Sequence, residues 1–219
     1  MLTIKDLFDL SHSLAGEWLA TLTWPHEALG GIGDLIRALG PNLPAEEYER
    51  RGKDIWLHKT ADIAPSALIQ GPCLLGPGTQ VRHCAFIRGD ALVGTGCVVG
   101  NSTELKNVIL FDQVQVPHFN YVGDSILGHK AHMGAGAITA NVKADKSPVV
   151  IRQGTERLDT GRKKVGAYLG DGAEVGCNAV LGPGAVLGRG AQVYPTSYVR
   201  GTVPANHIHK ADGTQVARR

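Results

Sequence analysis

Large apolar residues return at every sixth position through a long stretch of the chain: Ile63, Ile69, Leu75, Val81, Ile87, Val93, Val99, Leu105 and Phe111. Period six belongs neither to an α-helix nor to an alternating strand. Four positions after each of the first seven stands a small or β-branched residue: Ala67, Cys73, Thr79, Ala85, Ala91, Cys97 and Thr103. A triangular coil accounts for both rows. Each side carries one large residue inward near a corner and one small residue inward beyond it, and three hexapeptides close one coil. The same register returns at Leu169, Val175, Leu181, Leu187, Val193 and Val199, with Ala173, Ala179, Ala185, Ala191 and Ser197 in the small places. The pattern predicts a mainly β, parallel β-helical fold.

Residues 1–55 follow another rule and form a helical N-terminal segment ahead of the β-helix domain, 56–219. Leu7, Leu10, Leu14 and Trp18 lie at helical spacing behind Thr3, which is placed to cap that helix, and a second helix is expected over Ala28 to Leu39. The stretch PNLPAEEYERRGKD reads as a linker or a short third helix. The hexapeptide period breaks at about 142–166, where a β-type run from Val149 to Arg152, a glycine turn and a basic return, Arg162 to Lys164, predict a protruding hairpin. Loops on rigid scaffolds are where function concentrates.

Composition narrows the function classes. The chain has 29 glycines among 219 residues, which agrees with a backbone of many tight turns. Lys and Arg number 22 against 20 Asp and Glu, so no global field gathers nucleic acid or an acidic membrane surface. Cys73, Cys84, Cys97 and Cys177 show no CxxC spacing, and neither a secretory signal nor a membrane-length apolar run is visible, so a cytoplasmic protein with reduced thiols is expected.

Near the break, the repeats acquire residues that packing does not request: VGNSTELKN (Val99 to Asn107), VPHFNYVGDS (Val116 to Ser125) and HMGAGAITAN (His132 to Asn141). These segments, with the GRKKVGAYLG return, resemble the acetyltransferase domain of bifunctional glucosamine-1-phosphate acetyltransferase/N-acetylglucosamine-1-phosphate uridylyltransferase, especially the archaeal sugar-1-phosphate nucleotidyltransferase/acetyltransferases. The similarity runs from about Ile63 to Ala205. It implies a left-handed helix of hexapeptide repeats, a homotrimer with substrates in clefts between subunits, and acetyl-CoA as cosubstrate with no metal. By that resemblance His118 is the catalytic base, Glu104 the carboxylate beside the substrate amine, and Asn141 lies near both sugar and acetyl group. Arg88 and Lys106 match phosphate-binding cations, and Tyr121 falls in the sugar site. Ala135 supplies a backbone N–H to the thioester, and Cys177 lies beside it without acting as a nucleophile. His132 stands where the bacterial enzymes have a sugar-contacting Asn, and the family's lysine after Asn141 has no aligned partner, although Lys143 and Lys146 are close.

The residues make chemical sense on their own terms. N-acetylation needs a neutral amine, and an imidazole titrating near neutrality takes the ammonium proton as nitrogen attacks the carbonyl. Arg88 and Lys106, 18 residues apart, would stack one coil above the other as fixed cations for a phosphate. From charge alone, Arg200, Arg218 or Arg219 would meet the CoA phosphates. Plainer roles stand beside these: His118 filling a corner, Arg88 and Glu104 joining subunits, Tyr121 packing on a neighbouring coil, Lys106 as a solvated charge, and the GAG glycines serving only the turn.

The expected activity is acetyl transfer to an amino-sugar 1-phosphate, glucosamine-1-phosphate or galactosamine-1-phosphate. The first 60 residues hold no glycine-rich triphosphate loop, which leaves nucleotidyl transfer out of the expectation. Ile87 to Asp90, IRGD, resembles the trimer-interface motif of γ-class carbonic anhydrases. His83 and His118 have a suggestive separation, but position 123 is Gly, so the third zinc ligand is missing. The alternatives are a non-catalytic sugar-phosphate-binding or assembly subunit, and an acyltransferase for a nucleotide-linked amino sugar.

Overall fold

A residue that recurs once per coil stacks on its own kind about 4.8 Å away, so a short rule repeated along the chain becomes a column through the fold. The computed structural model, which describes residues 1–218, contains such columns: Leu75 pairs with Val93, Val81 with Val99, and Ile87 with Leu105, all in parallel register. They build a left-handed parallel β-helix of about nine turns. Strands of two or three residues form its sides, and every large and small seat named above from Cys73 onward is buried. Thr79 and Thr103 are tolerated inside because their hydroxyls donate to the carbonyls of Gly94 (2.7 Å) and Val116 (2.9 Å).

The period is not kept throughout. From Ala91 to Val108, from Glu104 to Tyr121 and from Gln115 to His132 the register advances by 17 residues instead of 18. The residue is lost at one corner. Two seven-residue strands, Glu104–Leu110 and Tyr121–Leu127, run straight through that corner, bent at Asn107 (φ 55°) and Asp124 (φ 49°). Leu110 therefore takes the core seat that strict period six assigned to Phe111, stacked between Val93 and Leu127. Phe111 is buried elsewhere, its ring 5.1 Å from that of Phe8.

The N-terminal segment covers one side of the coil. Thr3 caps the helix Ile4–Leu7 as expected, its hydroxyl accepting from the Asp6 N–H. That helix stops at Phe8, and a 3-10 turn, Leu10–His12, and a second short helix, Gly16–Leu19, replace its expected continuation. Asp9 and Ser13 accept from the backbone N–H groups of Ser11 and Ala15 and so compete with the helical ladder; Leu14 is left 47% exposed. The second expected helix is divided into Pro25–Ala28 and Ile32–Leu39, parted at Gly30 and Gly31. Neither a linker nor a third α-helix follows. A 3-10 turn, Gly40–Asn42, leads to the strand Tyr48–Arg50, which pairs antiparallel with Ile55–His58.

Beneath these helices lies a row the six-residue rule does not explain. Trp56, Leu74, Leu92, Ile109, Ile126, Tyr168 and Val186 are mutual neighbours in register and point outward, yet all are buried. They join one apolar cluster with Ile4, Leu7, Leu19, Ile32 and Ile36. Each such side chain removed from water contributes about 1.5–3 kcal/mol, which is what holds the segment against the coil.

The hairpin is present, with strands Val150–Gln153 and Glu156–Asp159 joined through Gly154 (φ 58°). It lies back along the C-terminal coils. Thr202 donates to the Arg152 carbonyl (2.7 Å), the terminal ammonium of Met1 meets Glu156 (2.6 Å), and the Leu2 N–H meets Gln153 (2.9 Å). Among the described residues no helix is long and apolar enough to cross a membrane.

Candidate active site

One side of the triangular coil carries nearly all of the candidate residues, in three columns. At its leading corner the register stacks His83, Asn101, His118, Ala135 and Cys177 in successive coils. Along its middle run Phe86, Glu104, Tyr121, Ile138, Val180 and Tyr198. At its trailing end stand Arg88, Lys106, Gly123, Ala140, Gly182 and Arg200. The expected stacking of Arg88 and Lys106 is present.

The leading corner places an imidazole next to a glycine turn. His118 ends the strand Gln115–His118 with its side chain exposed, and its carbonyl accepts from the Gly136 N–H (3.0 Å). Asn120 ties the two coils together. This fully enclosed amide accepts from the His118 N–H (3.1 Å) and donates to the Gly134 (2.8 Å) and Ala137 (3.0 Å) carbonyls. The Ala135 N–H has no acceptor among the described residues and remains available to a ligand carbonyl. Cys177, also exposed, stacks above Ala135. Cys73 and Cys97 are core residues whose thiols burial pushes up to about 12, so neither is a nucleophile.

Across the side, a buried carboxylate organises the remaining polar groups. The side chain of Asp124 is only 4% exposed, and it accepts from Lys106 (3.0 and 3.2 Å), Asn107 (2.9 Å) and Asn141 (2.5 Å). Asn107 also donates to the Leu29 carbonyl (3.1 Å), which couples the cluster to the N-terminal segment. Asn141 further donates to the Tyr121 hydroxyl (3.1 Å). The phenol lies over Gly123, where a Cβ would come within 2.5 Å of its oxygen. Partial burial raises the Tyr121 pKa, and the Asn141 bond offsets some of that shift, so the group is a neutral phenol at physiological pH.

Both cations assigned to phosphate already have carboxylate partners within the chain. Arg88 reaches Glu104 at 2.6 Å, and both side chains remain accessible enough to exchange partners. Lys106 is held by Asp124. His132 lies apart from the others: it belongs to the preceding side, where its Nδ1 meets Glu174 at 2.8 Å. Arg200 is separate from Ala135 and Cys177, at the opposite end of their side. Arg218 donates to the Gly190 carbonyl (2.9 Å), and Arg219 lies outside the described residues. His83 contacts Asn101 (2.6 Å), and among the described residues no three His, Cys, Asp or Glu side chains gather as a metal site.

Asp124, Asn107, Asn120 and Gly123 escaped the sequence reading. Asn120 carried a legible signal, since it occupies a small core seat that other coils give to Thr103 and Ala137. Asn107 and Asp124 mark where the period shortens to 17.

Comparison with known proteins agrees with this architecture. A family model described as the GMPPB C-terminal domain matches residues 69–154. "Bifunctional protein GlmU" of Methanococcus maripaludis is 39% identical over 87 residues, 40% of this chain and 21% of that protein. A "Bifunctional sugar-1-phosphate nucleotidylyltransferase/acetyltransferase" of Sulfurisphaera tokodaii is 30% identical over 105 residues, 48% of this chain and 26% of that protein. The chain thus spans less than a third of the length of these relatives. Among solved structures, the polySia-specific acetyltransferase NeuO aligns at 14% identity with a TM-score of 0.48, over 75% of this chain and 76% of that one. The chain therefore carries a hexapeptide-repeat domain of the GMPPB C-terminal type and is a homologue of GlmU and of the archaeal bifunctional sugar-1-phosphate nucleotidylyltransferase/acetyltransferases.

Proposed function

We propose that the chain is an acetyl-CoA-dependent N-acetyltransferase whose acceptor is an amino-sugar 1-phosphate, glucosamine- or galactosamine-1-phosphate. The observation that carries this reading is the layout of one side of the coil. An exposed imidazole and an unpartnered N–H occupy its leading corner, and Tyr121, Asn141 and two cations lie across from them. The relatives' names, which include acetyltransferase and sugar-1-phosphate chemistry, support it.

In this mechanism His118 takes the proton of the substrate ammonium, and the freed nitrogen attacks the thioester carbonyl. The Ala135 N–H stabilises the developing oxyanion. The C–N bond forms, the C–S bond breaks, and the proton passes from the imidazolium to the departing thiolate. Glu104 sits beside the incoming amine and gives up Arg88 to the sugar phosphate. Asn141 and Tyr121 orient the sugar, and Asp124 holds Asn141 and Lys106 in place. Cys177 borders the thioester arm without attacking it. Three copies complete the clefts, and because the N-terminal segment occupies one side, subunits meet through the other two.

The test is thiol release from acetyl-CoA with a panel of amino-sugar phosphates, for the wild type and His118→Ala. The variant should fold normally, lose about 10²- to 10⁴-fold in kcat, and regain part of that loss at higher pH, where more amine is neutral. A fully active His118→Ala protein refutes the mechanism. A wild type inactive on every acceptor favours a binding subunit instead.

A further inference from the structure

The largest cavity of the molecule lies outside the residues assigned above. It has a volume of about 450 Å³ and opens between the loop after Asn141, the hairpin and the C-terminal coils. Lys143, Arg152 and Arg200 line it, together with Tyr198, whose ring is 59% exposed. Asp145 is the one carboxylate in the lining. That carboxylate is already occupied, by the Ser147 N–H (3.0 Å) and hydroxyl (2.8 Å) and by Lys143 (3.5 Å). Neither the Arg152 nor the Arg200 guanidinium has an acceptor among the described residues.

The cavity is preformed. The Arg152 carbonyl is anchored by Thr202 (2.7 Å), and a Cβ at Gly201 (φ 83°) would come within 3.2 Å of the same oxygen. The hairpin tip is fixed in turn by Met1 and Leu2. Two unpaired guanidinium groups beside an accessible aromatic ring, in a space of ligand size, match two phosphates and a planar base. Solvated surface arginines would have no reason to converge on a cavity depleted of carboxylates, since like charges repel. Ala140 lines the cavity and precedes Asn141, so the bound group would emerge beside Tyr121 and Asn141.

We infer that this cavity binds a nucleoside carrying two phosphates, with Arg152 and Arg200 on the phosphates and Tyr198 against the base. Two sources share that chemistry: the nucleotide end of the acyl-CoA, and a nucleotide-linked amino sugar as acceptor. Naming these sources rests on the proposed acetyl transfer, whereas the binding itself does not.

The experiment is calorimetric titration of the full-length protein with UDP, adenosine 3′,5′-bisphosphate and CoA, without turnover, for the wild type, Arg152→Gln, Arg200→Gln and Tyr198→Ala. All three variants alter accessible groups, and circular dichroism checks that they fold. Each arginine variant should weaken a bound nucleotide by about tenfold or more, and added salt should weaken the wild type toward the variants. Loss confined to UDP identifies the acceptor as the source, and loss of both adenosine bisphosphate and CoA identifies the cofactor. If the wild type binds no probe, or if both arginine variants bind every probe as the wild type does, the inference is overturned. Normal binding with no acetyl transfer to any acceptor would count against the proposed reaction and leave the cavity assignment standing.

Discussion

Removing the Asp124 carboxylate should be one of the most damaging single changes available in this chain. In Asp124→Ala an ammonium and two amides lose a common acceptor that is 4% exposed. Hydrogen bonds to a charged group contribute roughly 1.5–3 kcal/mol each, but summing them would overshoot because the donors share one charge. Lys106, 27% exposed, also recovers some hydration. Breaking a buried ion pair from one side loses roughly 3–5 kcal/mol, and that range is the expectation here. Much of the loss is the unpaired ammonium, so Asp124→Ala/Lys106→Met should be more stable than the two single losses added together, by about 1 kcal/mol or more. Urea unfolding of the wild type, both single variants and the double variant measures this cycle. Protein concentration must be held fixed, because any self-assembly adds to apparent stability. A loss below about 1 kcal/mol in Asp124→Ala, or additivity within about 0.5 kcal/mol, would refute the view that Asp124 holds the cluster together.

Three further outcomes follow from the packing. Tyr168→Phe should leave stability unchanged or raise it in a thermal melt, because the Tyr168 hydroxyl is buried without a partner; a loss above about 1 kcal/mol would mean that a bond was removed. Burial holds the His26 pKa below the ordinary 6.5, so the folded state resists a proton that the unfolded state accepts. Stability is then full above that ordinary value and declines as pH falls through it, and His26→Leu should flatten the decline between about pH 7 and 5 in melts compared pairwise. Ile36→Asp places a carboxylate against the row under the N-terminal helices and should loosen that segment, read as faster amide exchange over residues 1–40 and new dye binding to apolar surface.

The coil itself was legible because its physics is local. Each hexapeptide stacks only on its counterparts one coil away, so a large residue at one seat and a small one at another suffice to state the core, and Leu75, Val81, Ile87, Val93 and Val99 occupy the seats their spacing assigned. The same locality placed His118, Ala135 and Cys177 in one column, since only a count of residues separates them.

What spacing could not state was decided by contacts between distant parts of the chain. Phe111 kept the period on paper, but a corner one residue shorter moved Leu110 into the core and left Phe111 to Phe8, a partner more than a hundred residues earlier. The apolar row from Trp56 to Val186 acquires its meaning only when the N-terminal helices lie over it, and an unbroken helix through Leu14 loses to side chains that cap the backbone locally. The charges were the least legible. Arg88, Lys106 and His132 are equivalent on the page as exposed basic residues, yet they meet Glu104, Asp124 and Glu174, and those partners lie 16, 18 and 42 residues away. Sequence determines which residues a coil brings to one side. Only the closed fold decides which polar groups are buried together, because a carboxylate such as Asp124 needs its donors from three coils at once, and no single stretch of sequence contains them.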